Sequence, residues 1–347
     1  MTAGSFQIHN FAMIPKSLPA FSIARLLLKA ALTILALAAS PMPGRAQVVI
    51  NEIMYRPGTA FPENTALEFI ELHNPTGAQV DIGGWALTSG TAFTFPANTM
   101  IAAGGFAVVA SSPSAVQAAY GIGGVFGPWA AGSTLSNSGE KITLSKPGLV
   151  PGIFEKVDSV TYASEGDWSV RIREAAFQGW AWSSAADSGG KSLELRNAAI
   201  SNDNGQNWLP STAAAGGTPG APNTAATTNV PPIIHSVSHS PAVPTSTQDV
   251  TISCDVTDET APTGLTATLY WREATSTTPG AFQTQAMAGD GTGVFSTVLG
   301  PRGNNLVIVE FYISVNDGAL TRTWPAPTSE GQNANRSEEH TSELQSQ

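Results

Sequence analysis

One cysteine, Cys254, occurs in 347 residues, so no disulfide can form within the chain and its folded parts rest on their apolar cores. Charge is also scarce: 12% of residues are Asp, Glu, Lys or Arg, with 16 bases against 26 acids. No Lys/Arg cluster interrupts that acidic balance. Binding to nucleic acid or to an anionic lipid surface through phosphate contacts is therefore not expected. No apolar run approaches the 20 or so residues that a membrane-spanning helix needs. Histidines are five, of which His9 and His340 lie near the ends, leaving His73, His235 and His239 as the candidates for metal or acid–base chemistry.

Both ends have a distinct reading. Lys16, Arg25 and Lys29 precede the apolar run Ala30 to Ala39, then Pro41, Pro43 and Gly44-Arg45-Ala46, the layout of a secretory signal cleaved after Ala46. Residues 1–46 are thus expected to be a leader, and the product to be secreted, extracellular or at the cell surface. At the other end Arg336 to Ser346 reads RSEEHTSELQS, which resembles the translation of a sequencing-library adapter. Residues 329–347 are expected to be a disordered tail, with 336–347 foreign to the natural protein and the natural chain longer. Without the leader's four bases, and the tail's one base and three acids, 11 bases face 23 acids.

Between these ends the apolar pattern has period two or short runs broken by Pro, Gly and Asn, the pattern of β-sandwiches. Ser114 to Tyr120 alone reads as helix, with Pro113 near its start and Gly121 at its stop. From Val48 to Ser111 the motifs VVINEIMYRP, EFIELHNPTG, VDIGGWALTS, FTFP and IAAGGFAVVASS follow one another. Their order resembles the lamin-tail domain, an immunoglobulin-like β-sandwich found in nuclear lamins and in large exported bacterial proteins. The resemblance continues through GEKITLSK, KVDSVTYA, DWSVRI and KSLELRN, giving a first sandwich over residues 47–207.

Residues 208–232, rich in Pro, Ala, Gly and Thr, carry no charge from Pro210 onward and read as a flexible linker. A second sandwich is expected over 233–328. Val250, Ile252, Cys254 and Val256 fall on one strand face, Leu265, Ala267, Leu269 and Trp271 on another, and Val309, Phe311, Ile313 and Val315 on a third. These strands, with the turn AGDGTGVF, resemble an immunoglobulin-like or fibronectin-type-III module, and Cys254 should point into its core beside Trp271. The fold class expected is all-β, two sandwiches joined by the linker.

No constellation points to catalysis. His235 and His239 are four apart in an extended, Pro-flanked segment, which on a regular strand leaves the rings about 13 Å apart on one face, too far to share a metal. Glu68 and Glu71 are three apart and face opposite ways, so Glu52, Glu68 and Glu71 are expected to hydrogen-bond backbone or to lie at the surface rather than to bind calcium or act as acid and base. Ser201 to Asn207 lacks the closing Glu of a calcium loop, and Asx-rich turns stand without an ion. Trp168 and Trp180, with Asn204, are the candidate ligand contacts, core packing being the alternative fate for the indoles.

Neither metal nor cofactor is expected. The partner indicated is a protein or a neutral glycan of the cell envelope or matrix, not nucleic acid. The function these readings imply is a non-catalytic binding or spacer region. Two alternatives are the accessory N-terminal region of an exported enzyme, for example a spore-coat-type (CotH) kinase such as follows these modules in the bacterial proteins resembled, and a structural matrix component.

Overall fold

In the computed structural model the described residues are 47–58, 64–174, 179–274, 280–303, 308–327 and 336–337. The leader segment and nearly all of the expected tail lie outside them. In chain order come β1 (Val49–Met54), β2 (Phe69–His73), β3 (Val80–Asp81), β4 (Ala86–Ser89), β5 (Phe93–Thr94), β6 (Met100–Ile101), β7 (Phe106–Ala110), helix α1 (Pro113–Tyr120), β8 (Gly139–Pro147), β9 (Phe154–Ala163), β10 (Val170–Glu174), β11 (Gly179–Ser183), helix α2 (Ala185–Ser188), β12 (Leu193–Leu195) and β13 (Trp208–Pro210). They are followed by β14 (Ile233–Ser240), β15 (Val250–Thr257), β16 (Thr266–Ala274), β17 (Gln283–Gly289), β18 (Val294–Leu299), β19 (Ile308–Asn316), β20 (Thr321–Trp324) and β21 (Arg336–Ser337). The fold is all-β, and no helix among the described residues is long and apolar enough to cross a membrane.

The first sandwich packs the five-stranded sheet β13-β12-β1-β2-β7 against the four-stranded sheet β5-β4-β8-β9. Between them lies an apolar core that includes Ile50, Ile53, Leu72, Leu87, Ile142 and Val160. A buried polar tie crosses it: the Ile50 N–H donates to Asp158 Oδ2 at 2.7 Å. The outer face of the five-stranded sheet is covered as well. α1 begins with Pro113 in its first turn and ends where Gly121 turns left-handed at φ 67°. Its Val116 packs on Met54, Phe69, Val108 and Ala110, and so hides one half of that face.

Residues 208–232 hide the other half, and here the expected linker is corrected. β13 pairs with β12 at Leu193↔Pro210 and Leu195↔Trp208. The chain then runs over the sheet as a strap, its backbone tied to the sheet's edge by Ser192 N–H to Gly216 O at 2.8 Å and Thr227 N–H to Arg196 O at 2.8 Å. Charge and apolar periodicity are absent from this stretch, but it docks through neither. It docks through backbone N–H groups and hydroxyls, which a composition of Gly, Thr, Ser and Asn supplies as readily as it supplies a coil.

The second sandwich follows a single path, β14-β15-β18-β17-β16-β19-β20, with β21 pairing β19, so that Arg336 and Ser337, within the stretch expected to be a disordered tail, form a strand instead. Its two faces are joined by the β17–β18 hairpin at Ala288↔Ser296 and Gly289↔Phe295. Ile252, Cys254, Leu269, Trp271, Phe311 and Ile313 meet in its core, so the strand faces are those that alternation indicates. Burial pushes the Cys254 thiol up to about 12. A bulge between His235 and Ser238 sets His235 opposite Asp255 and His239 opposite Ile252. The two imidazoles therefore leave the strand on opposite faces rather than on one.

The two sandwiches belong to one compact unit. From the first, the buried Gln206 side chain accepts from Ile234 N–H at 2.9 Å and donates to Ile234 O at 2.8 Å. From the second, Arg322 donates to the carbonyls of Pro232 at 2.7 Å, Gln206 at 3.0 Å and Pro231 at 3.2 Å.

Candidate functional site

β12, β1 and β2 lie side by side, and their register sets Glu52 opposite both Glu194 and Glu71. Directly opposed residues on one sheet face have Cβ atoms about 5 Å apart, so three carboxylates stand in a row across three strands. All three are fully buried. Among the described residues none has an Arg, Lys or His as an ion-pair partner.

The strap supplies the donors instead. Thr218 N–H donates to Glu52 Oε1 at 2.8 Å, with the Ser192 hydroxyl on the same oxygen. Glu194 takes the Thr218 hydroxyl at 3.0 Å, the Thr224 hydroxyl at 2.7 Å and Ala225 N–H at 2.8 Å. Glu71 takes Gly220 N–H and the Asn51 amide. Asn223 closes the set by donating to the carbonyls of Asn51 and Leu195. Burial lifts Glu52 to about 7, against the pull of its Ser192 and Thr218 donors, with the neighbouring Glu194 adding to the rise. Glu71 is held well above the usual carboxylate range by burial first and by Glu52 second.

This arrangement closes a latch, in which every carboxylate of the row is shut off from solvent. Glu68 stands apart from it, just before β2, accepting Leu135 N–H at 2.9 Å. Among the described residues no group of three or more His, Cys, Asp or Glu is arranged to hold a metal ion. Tight packing of the latch makes a specific expectation. A methyl added at Gly217 would come within 2.6 Å of Glu52 Oε1 and 3.1 Å of Ser192 Oγ. Gly217→Ala should cost about 2 kcal/mol in denaturant unfolding, by overpacking and by breaking the Glu52 bonds.

Beside the strap an open cleft of about 330 Å³ is lined by Asn51, His73, Phe106, Arg196, Asn197 and Asn223, among others. His73 stacks on Phe106, ring centres 4.7 Å apart, and its Nδ1 lies 3.1 Å from Gly105 O. Since a carbonyl only accepts, Nδ1 is the donor. Burial lowers the ring's pKa, so the neutral tautomer has Nε2 as acceptor. Arg196 is half buried, its Nε without a hydrogen-bond partner among the described residues. Small-ligand sites are of this size and character, an apolar wall with a few polar groups.

The residues singled out from sequence sit elsewhere. Trp168, half buried, packs on Trp208 at 5.8 Å and borders the first core. Trp180 is on β11 opposite Arg173, and its side chain lies outside the described residues. Asn204 caps the turn at residues 205–207, its Oδ1 accepting Gln206 N–H at 2.8 Å. Its neighbours Asn202 and Asn207 tie the same loop to Ile50 O and Asn197 O. Glu194 and the cleft were not anticipated. The alternation of Ser192, Glu194 and Arg196 with Leu193 and Leu195 marks them as one outward face, but nothing local says that a strap will cover it.

The comparison with curated proteins finds no match for this chain. Residues 41–164 match the family model described as Lamin Tail Domain, an immunoglobulin-like β-sandwich, and this segment spans β1 to β9 while the same sandwich goes on to take β12, β13 and the strap from beyond it.

Proposed function

We propose that this chain is a non-catalytic binding and spacer region of an exported protein, and that its ligand meets the cleft beside the strap. One observation carries the reading: the three carboxylates of the row, Glu52, Glu71 and Glu194, are committed to the latch, while a polar-rimmed cleft of about 330 Å³ beside it stays open. A neutral glycan or a protein loop suits it, with His73 and Phe106 as a stacking wall and the half-buried Arg196 at its polar rim. The Gln206 and Arg322 bonds between the sandwiches support the spacer role, since they hold two domains in one body.

Titration with neutral oligosaccharides and with cell-envelope protein fractions, at low and at moderate salt, tests this. Binding should vary little with salt and weaken at least about tenfold in a His73→Ala, Arg196→Ala variant. Steeply salt-dependent binding to DNA, or turnover of a substrate by the chain, would overturn the reading.

A further inference from the structure

The β8–β9 hairpin runs out past its neighbours. β4 pairs with β8 as far as Ala86↔Ser145, whereas β8 and β9 stay paired to Pro147↔Phe154. The turn beyond reads GLVPGI and is closed by Gly148 N–H to Ile153 O at 2.7 Å and Ile153 N–H to Val150 O at 3.0 Å. A hairpin tip in water is ordinarily polar. Here Leu149 is 99% exposed, Val150 62%, Ile153 58% and Phe154 45%. Four bulky apolar side chains within six residues make a contiguous patch of the kind that marks an interaction surface.

We propose that this tip inserts into the interfacial region of a zwitterionic lipid bilayer. Its shape argues for lipid over protein: a protruding tip with side chains standing clear on a narrow turn needs a matching hollow in a rigid partner, but a bilayer deforms around it. Its charges agree. Between Pro147 and Phe154 there is none, and at the neck sit the exposed Lys146 and Lys156, with Lys146 only 3.8 Å from Glu155. Once the apolar residues pass the headgroups, lysine stems lie along the neck and their ammonium groups reach the phosphates. The chain's net charge of −10 disfavours an anionic surface, so buried apolar area has to carry the binding.

The test uses the full chain. Cys254 is 1% exposed and its thiol is pushed up to about 12, so a cysteine introduced as Leu149→Cys takes an environment-sensitive dye selectively. On mixing with phosphatidylcholine vesicles the dye should shift to the blue, with little dependence on salt. Adding Val150→Ser and Ile153→Ser should cut the partition coefficient at least about tenfold. The dye at an Ala319→Cys control, exposed in the second sandwich, should not respond, which separates tip insertion from recruitment by another segment. No shift at position 149 would overturn the proposal. So would a shift confined to anionic vesicles and abolished by salt, which would assign the contact to lysines, or a concentration-dependent shift without lipid, which would assign the tip to a protein surface.

Discussion

Raising the pH from about 5 to about 8 should weaken the first sandwich by about 3 kcal/mol, read as a fall in the denaturant midpoint of unfolding. The cause is Glu52. Its carboxyl titrates at the ordinary 4.5 in an unfolded chain and at about 7 under the strap. The folded protein therefore holds that proton to higher pH than the unfolded chain does. The stabilisation is complete below 4.5 and is lost as the pH rises through 7. Glu71 and Asp158, both raised by burial, act in the same direction. His73 acts against them: burial lowers its pKa, so its contribution is present above 6.5 and fades as the pH falls below it. Its half-exposed position makes this the smaller effect. The stability maximum is thus expected on the acid side of neutrality.

Glu52→Gln isolates the effect. An amide oxygen still accepts from Thr218 N–H and the Ser192 hydroxyl, and the amide nitrogen faces the Thr218 hydroxyl, 3.5 Å from Glu52 Oε2. That hydroxyl can accept as well as donate. The variant should show a flattened pH profile and be more stable than the parent at pH about 8, because the proton to be lost is gone. A profile as steep as the parent's would mean that Glu52 is not the titrating group.

Side-chain alternation made much of the second sandwich legible. Ile252, Cys254 and Val256 point inward, as do Leu269 and Trp271, because a half-buried strand can be read from period two alone. α1 was legible for an equally local reason, Pro at one end and Gly at the other. The latch was not. Its carboxylates come from β1, β2 and β12, and the separation of Glu52 from Glu194 in the chain hides a register contact that only folding creates. The bulge after Ile50 and the one after His235 also change which residues share a face, and neither is announced by a Gly or Pro. By composition the strap is indistinguishable from a coil, because Gly, Thr and Asn in a row are equally the composition of a linker and of a donor-rich segment that seals buried acceptors. What distinguishes the two is the partner, and for the two longest-range carboxylates the partner is far along the chain, Glu52 lying 166 residues from Thr218 and Glu71 lying 149 from Gly220.

Gln206→Ala is expected to uncouple the two sandwiches. β14 is an edge strand, and at Ile234 the Gln206 amide does what a neighbouring strand would, accepting from the N–H and donating to the carbonyl. Ile234 is fully buried and Gln206 is 6% exposed, so truncation leaves both backbone groups unpaired out of reach of bulk water. Each such orphan costs about 1 to 3 kcal/mol, giving about 4 kcal/mol for the pair, and the Asp167 carboxylate loses a donor as well. Arg322 cannot compensate, since its bonds go to the carbonyls of Pro231, Pro232 and Gln206. Burial already pulls that guanidinium down to about 10, with the Arg196 charge nearby adding to the fall, so it sits at a junction that tolerates little loosening. Calorimetry on the parent should show one cooperative transition; the Gln206→Ala, Arg322→Ala variant should show two, together with faster proteolytic cleavage between residues 228 and 232. A single transition at the parent's midpoint, with that segment still resistant, would show that the sandwiches are held together by something other than these two side chains.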